Sequence, residues 1–243
     1  MQAPLVLVCD TPENLARAAA TYVETAIWAA RGRAPFANAP VRVAISGGTT
    51  PYAMLRLLRT AELPWDQIHW YWVDERFLAA DSPRSNVGAA KEALFDHIHA
   101  VSGTQVFAPL TPETATLEEA AADYEARLRR DLGEGALDLV LLGIGDDGHT
   151  ASLFPGEPEV NERTRWVVPV PARAGREPRI SLTRPVIEHA ASVMLLAQGA
   201  SKQKAFRAMQ EPSSLEEIPS RIVHHTRNGT LCLVDAAVVA KEA

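Results

Sequence analysis

The chain has 243 residues, 47% of them hydrophobic, and its 24 Lys and Arg against 30 Asp and Glu leave a net charge of −6. That apolar share supports a substantial core and excludes a disordered chain. The mild acidity argues against non-specific nucleic-acid binding, which needs a basic face, and no apolar run approaches the ~18 residues of a membrane span.

Residues 5–9 (LVLVC) read as a first strand. The run is short, follows no basic residues and meets Asp10 at once, so it does not read as a signal peptide. Asp10 is a good N-cap, with Pro12 in the first turn and Glu13 behind it. Apolar positions at helical spacing (Leu15, Ala19, Tyr22, Val23, Ala26, Ile27) carry that helix to about Ala30. Residues 31–40, with a glycine and two prolines, read as a loop. Residues 41–45 (VRVAI) form a second strand, and Ser46-Gly47-Gly48-Thr49-Thr50 leads into a helix over 51–59. Strand, glycine-rich turn and helix N-terminus together suit phosphate, which meets free backbone N–H groups and the positive end of the helix dipole. No Gly-Lys-Ser/Thr follows, so this is not a Walker loop. The alternative is a plain tight turn.

Residues 68–73 (IHWYWV) read as an aromatic third strand ending in Asp74-Glu75-Arg76. Such a triplet is usually a solvated loop; after a buried strand it is suspect. Asn86 can cap a helix over 87–95, and Thr116 caps another over 117–132. Then comes LDLVLLGIGDDGHTASLF at 137–154. Its apolar start over 137–142 reads as a strand buried on both faces, as in a parallel sheet. Gly143, Gly145 and Gly148 predict tight turns with positive φ and close approach to a ligand. His149 then stands at the strand's carboxyl end, where ligands of open α/β sheets bind.

Residues 166–170 are a strand that Pro169 confines to an edge or an end. A loop follows over 171–178, then a short extended segment over 179–182. Thr183 caps a helix to about His189, and 192–197 is a strand. A helix over 201–209 carries Lys202 in its first turn, against the dipole, a conflict that an anionic ligand would resolve. The last strand covers 231–234, and 236–240 is a short helix or tail. Cys9 and Cys232 lie in apolar runs and read as reduced core thiols of a cytoplasmic protein. The alternation predicts a single α/β domain with a largely parallel sheet.

Four strand ends then carry polar groups: 46–50, 74–76, 146–149 and Lys202. In a parallel sheet they share one edge, which offers a phosphate cradle beside groups for acid–base chemistry. Here the sequence resembles the 6-phosphogluconolactonases. The matching segments are AISGGTTP at 44–51, WVDERF at 72–77, SN at 85–86, LGIGDDGHTASLFPG at 142–156, RISLT at 179–183 and GASKQKAF at 199–206.

The resemblance implies one domain over 1–243, with the Rossmann-type fold of the glucosamine-6-phosphate deaminases. It implies hydrolysis of 6-phosphoglucono-1,5-lactone in the pentose phosphate pathway without metal or cofactor. His149 is then the general base, Asp147 orients its imidazole, and Arg76 meets the oxyanion or the substrate hydroxyls. Ser46, Gly47, Gly48, Thr49, Asp74, Asn86, Arg179 and Lys202 are the expected substrate and phosphate contacts. Asp74 simply pairing with Arg76 is the bland alternative.

The expected partner is a phosphorylated sugar lactone, with no nucleic acid or membrane, and the protein is expected to be a monomer or small homo-oligomer. Three rivals are a sugar-phosphate deaminase or isomerase of the same fold, a non-catalytic sugar-phosphate sensor, and a serine hydrolase using Ser46. The last is disfavoured because Asp147 and His149, two residues apart, do not easily form the usual relay. His97, His99, His224 and His225 lack a third ligand at metal spacing and read as surface residues.

Overall fold

A computed structural model describes residues 2–34, 39–100, 105–173 and 175–240. Seven strands form a parallel sheet: β1 (Leu5–Cys9), β2 (Val41–Ile45), β3 (Ile68–Trp72), β5 (Val106–Phe107), β6 (Leu139–Gly143), β9 (Val193–Ala197) and β10 (Thr230–Asp235). Their order is β1-β10-β9-β6-β2-β3-β5, with every neighbour parallel. The central strands β6 and β9 carry no polar side chain because helices cover both faces. Successive side chains alternate between two cores. Leu139 and Leu141 of β6 meet α1 (Pro12–Arg33), α2 (Thr49–Leu58) and α3 (Asn86–Ala93), whereas Val140 and Leu142 meet α4 (Leu117–Leu132), α5 (Arg184–His189), α6 (Gln203–Gln210) and α7 (Ala236–Val239). The edge strand β1 leaves Leu5, Leu7 and Val8 exposed.

The single α/β domain with a largely parallel sheet is as expected. A second sheet is not. β4 (Asp74–Arg76), β8 (Arg179–Leu182) and β7 (Val167–Val170) form a small antiparallel sheet in the order β4-β8-β7. Residues 68–76 read as one strand and its loop, yet the chain changes sheets at Val73. The Val73 N–H donates to Ile45 O of the large sheet, at 2.9 Å, while its carbonyl accepts from Leu182 N of the small one, at 2.8 Å. Pro169 does lie on an edge strand, where its missing N–H costs no ladder bond.

Several boundaries move. Thr11, not Asp10, caps α1, accepting from Asn14 N, and α1 runs to Arg33. Ser85, not Asn86, caps α3 through Gly88 N. Thr116 caps α4 as expected, within a reciprocal capping box with Glu119. α2 begins two residues early, at Thr49. Of the loops expected over 31–40 and 171–178, residues 35–38 and 174 lie outside the described residues. Cys232 is a buried thiol whose pKa burial pushes up to about 12. Cys9, however, is half-buried on the edge strand and not a core thiol.

Where β5 ends, a tyrosine completes β3. The buried Tyr124 hydroxyl accepts from Trp72 N at 2.7 Å and donates to Trp72 O at 2.9 Å. Tyr124→Phe would strand both buried backbone groups. It is expected to cost ~1–3 kcal/mol, read as a lower urea midpoint at unchanged m-value.

Candidate active site

The connections leave β2 and β6 in opposite directions: β2 leads outward to β3 and β5, and β6 outward to β9 and β10. Ligands of open α/β sheets bind at such a reversal, beyond the strands' carboxyl ends. A cleft of about 270 Å³ opens there. Of the residues expected at the site, Ser46, Gly47, Gly48, Thr49, Asp74, Arg76, Asn86, His149, Arg179 and Lys202 line it. Asp147 does not; its side chain is turned to His149.

The turn after β2 presents the start of α2. Gly48 occupies the N-cap with φ +121°, and no side chain caps the helix. The first-turn N–H groups therefore face the cleft without a side-chain acceptor. Gly47 is required by close approach: a Cβ there would fall 2.0 Å from Asn86 Oδ1. Asn86 is itself held, since its Nδ2 donates to Asp74 O at 3.0 Å and its Oδ1 accepts from Tyr52 OH at 3.4 Å. The Ser46 hydroxyl is buried and donates to Leu141 O at 2.8 Å.

Behind Asn86 stands Glu75, which no sequence signal singled out from its charged neighbours. Its buried carboxylate accepts from the backbone N–H groups of Arg76, Asn86 and Val87 and from Ser85 Oγ, at 2.6–3.0 Å. Burial raises its pKa, against the opposing effect of these bonds. Glu75 thus anchors the start of α3 to β4.

The small sheet sets two arginines side by side, for Arg76 lies opposite Arg179 in the register. Like charges so placed repel. Asp74 answers Arg179 at 3.6 Å and accepts from buried Ser152 Oγ at 2.6 Å. The pairing of Asp74 with Arg76 is therefore not what forms; Arg76 instead lies 3.9 Å from Glu177 and donates to Arg84 O. Arg179 Nε is buried without a hydrogen-bond partner among the described residues, an arrangement that calls for an acceptor. Lys202 closes the turn before α6, and Asp146 meets it at 2.7 Å. The conflict of Lys202 with the helix dipole is answered here by a carboxylate of the chain itself.

His149 sits in a loop folded back on itself: Gly145 N donates to His149 O, and Thr150 Oγ1 to Gly143 O, each at 2.8 Å. Gly148 has φ +87°, but Gly143 and Gly145 do not have positive φ, so only one of the three glycines is there for that reason. Gly145 serves close approach instead, since a Cβ would stand 2.1 Å from His149 Nδ1. Asp147 Oδ1 lies 2.6 Å from Nδ1 and also accepts His149 N at 3.0 Å.

The two residues do pair despite their short separation, so that objection to a relay falls. The hydrogen bond from His149, with burial opposing, lowers the Asp147 pKa from 3.8 to about 2. The stability gained from this pairing is present above about pH 3.8 and lost as pH falls through about 2. An ionised carboxylate only accepts, so Nδ1 carries a proton, and in the neutral tautomer that leaves Nε2 as the ring nitrogen with a lone pair.

His97 and His99 are exposed, His224 and His225 half-buried. No cluster of three potential metal ligands occurs among the described residues. No described helix is long and apolar enough to cross a membrane.

Residues 10–232 match the sequence profile of the glucosamine-6-phosphate isomerases/6-phosphogluconolactonase. The chain belongs to this family. A 6-phosphogluconolactonase from Synechocystis is 37% identical over 187 residues, 74% of this chain and 76% of that one. The solved 6-phosphogluconolactonase from Trypanosoma cruzi superposes with a TM-score of 0.82 at 27% identity, covering 98% of this chain and 97% of the other. A monomeric glucosamine-6-phosphate deaminase superposes with a TM-score of 0.78 at 25% identity, over 96% and 98%. The family's fold is therefore common to both activities.

Gly145→Ala should push the imidazole off Asp147, at a cost of ~1–3 kcal/mol for overpacking. Ring-nitrogen NMR is the check: the spectrum of a protonated Nδ1 should be lost while circular dichroism stays that of the parent.

Proposed function

We propose that the protein hydrolyses 6-phospho-D-glucono-1,5-lactone to 6-phospho-D-gluconate, the lactone-opening step of the oxidative pentose phosphate pathway. The observation that carries this is the His149–Asp147 couple, beside a cleft that His149 lines together with Arg76, Arg179 and the open N-terminus of α2. The lactonases among its relatives support the substrate.

Nε2 takes a proton as water attacks C1. Arg76 stabilises the oxyanion or holds the sugar hydroxyls. On collapse the bond from C1 to the ring oxygen breaks, and the imidazolium returns its proton to that oxygen. Asp147 holds the ring and stabilises the imidazolium. The 6-phosphate lies against the backbone of Gly47, Gly48 and Thr49, with Arg179 and Lys202 as its cations. Asp74 and Asn86 reach the substrate from the same wall. A δ-lactone is a reactive ester, so no step requires a metal or cofactor. The Ser46 hydroxyl, spent on Leu141 O, is a poor nucleophile, which favours direct attack by water. The reading includes a monomer or small homo-oligomer, no nucleic-acid partner, and a cytoplasmic location, which the two free thiols support.

Freshly made lactone should release acid faster with the protein than without it. Ammonia from glucosamine 6-phosphate would favour the deaminase instead, and tight binding without turnover would favour a sensor. His149→Ala is expected to lower kcat by ~10²-fold or more with the fold intact; near-normal turnover would reject the base.

Lys202→Ala and Arg179→Ala should each weaken 6-phosphogluconate binding by ~1.5–3 kcal/mol and scarcely alter that of gluconate. Calorimetry with both ligands separates a phosphate contact from a general loss.

A further inference from the structure

Phe154 lies outside the two main cores. It is buried in a small cluster of its own with Val168 and Val170 of β7. Its ring centroid stands 4.4 Å from that of His149, at 40°. The Arg176 guanidinium lies 3.6 Å from the same centroid, and that of Arg179 5.5 Å from it. Arg176 is fixed in turn, because its NH2 donates to both oxygens of Glu157, at 2.8 and 2.7 Å. Arg173 approaches the same carboxylate at 3.5 Å. Glu157 N donates to Phe154 O at 3.1 Å, so the stretch that holds the arginines is tied to the backbone that holds the ring.

An imidazole has two torsions to fix. The bond to Asp147 fixes one edge but leaves the plane free to swing about Nδ1. A flat apolar ring at van der Waals distance removes that freedom, and a paired guanidinium holds the ring in place.

We propose that Phe154, clamped by Arg176 and Glu157, is a positioning residue that sets the plane of the His149 imidazole. Arg176 and Glu157 thereby influence turnover without touching substrate. The effect on turnover rests on the lactonase reading; the ring contact itself does not.

The test compares Phe154→Leu, Phe154→Tyr, Arg176→Met and Arg176→Lys with the parent, using kinetics on the lactone and proton NMR of the His149 ring. The ring signals are assigned by their absence in His149→Gln. The parent signals should be shifted upfield by the Phe154 ring current. In Phe154→Leu they should move toward the values of a free imidazole, with kcat down ~10-fold or more and KM within about twofold. Phe154→Tyr keeps a ring and should recover most of both.

Arg176→Met, on the clamp and remote from the large cores, should lower kcat ~2–5-fold, the equivalent of one cation–π contact. Arg176→Lys should fall between Arg176→Met and the parent. Folded Phe154→Leu with unchanged ring signals and kcat would overturn the proposal. So would matched losses in kcat and melting temperature across all four variants, which would make Phe154 a packing residue only. If the parent opens no lactone, the proposed function fails, and the ring signals still decide whether Phe154 orients His149.

Discussion

The peptide of Val73 is shared between two sheets, and the site depends on that division. Its N–H belongs to β2 and its carbonyl to β8. One residue later the strand direction has changed, and Asp74, Glu75 and Arg76 leave the large sheet as a strand of the small one. Neither half of the cleft is complete without this crossing. The large sheet brings the Ser46–Thr50 turn, the His149 loop and Lys202 to one edge. The small sheet brings Asp74, Arg76 and Arg179 against them. Tyr124 secures the crossing, since its hydroxyl satisfies the last residue of β3 on the side where β5 has ended. Buried backbone groups must be paired. A side chain that pairs two of them can therefore fix where a strand stops.

The large sheet was legible because its strands are apolar runs bounded by glycine and polar residues, as at 41–45 and 139–143. Of the small sheet, 166–170 and 179–182 were read as extended, but β4 was not. Asp74, Glu75 and Arg76 read as a loop, and their pairing with β8 joins segments about a hundred residues apart. The meeting of cleft residues could be inferred from the parallel-sheet rule and from the resemblance. Their individual bonds could not. Asp147 was expected to orient the His149 imidazole, but not through the turn at 145–148 that brings the carboxylate back to Nδ1. Glu75 and Phe154 gave no signal, since a charge inside a charged triplet and an aromatic after Ala-Ser-Leu are ordinary.

The cleft is locally cationic in a chain with a net charge of −6. Each cation has an acidic neighbour: Asp74 for Arg179, Glu177 for Arg76, Asp146 for Lys202. Such pairs let charged side chains stay near an apolar floor without full hydration. They also weaken the field felt by an incoming anion. Arg76 and Arg179 still face each other across the register, and their repulsion is relieved by negative charge between them. An anion placed between them would offset that repulsion as well.

Asp146 and Asp147 divide the work of one loop. The first turns outward to Lys202, and the second turns back to His149. Both are carried on the few residues between Gly145 and His149, whose backbone is closed by the bond from Gly145 N to His149 O. The partners of Lys202 and His149 thus sit on one short closed turn rather than on separate loops. Phe154, five residues beyond His149, packs on Val168 and Val170 of β7 and meets the imidazole from the side of the small sheet. The orientation of His149 is in this way referred to both sheets at once. The crossing at Val73 is what keeps those two sheets in a fixed relation.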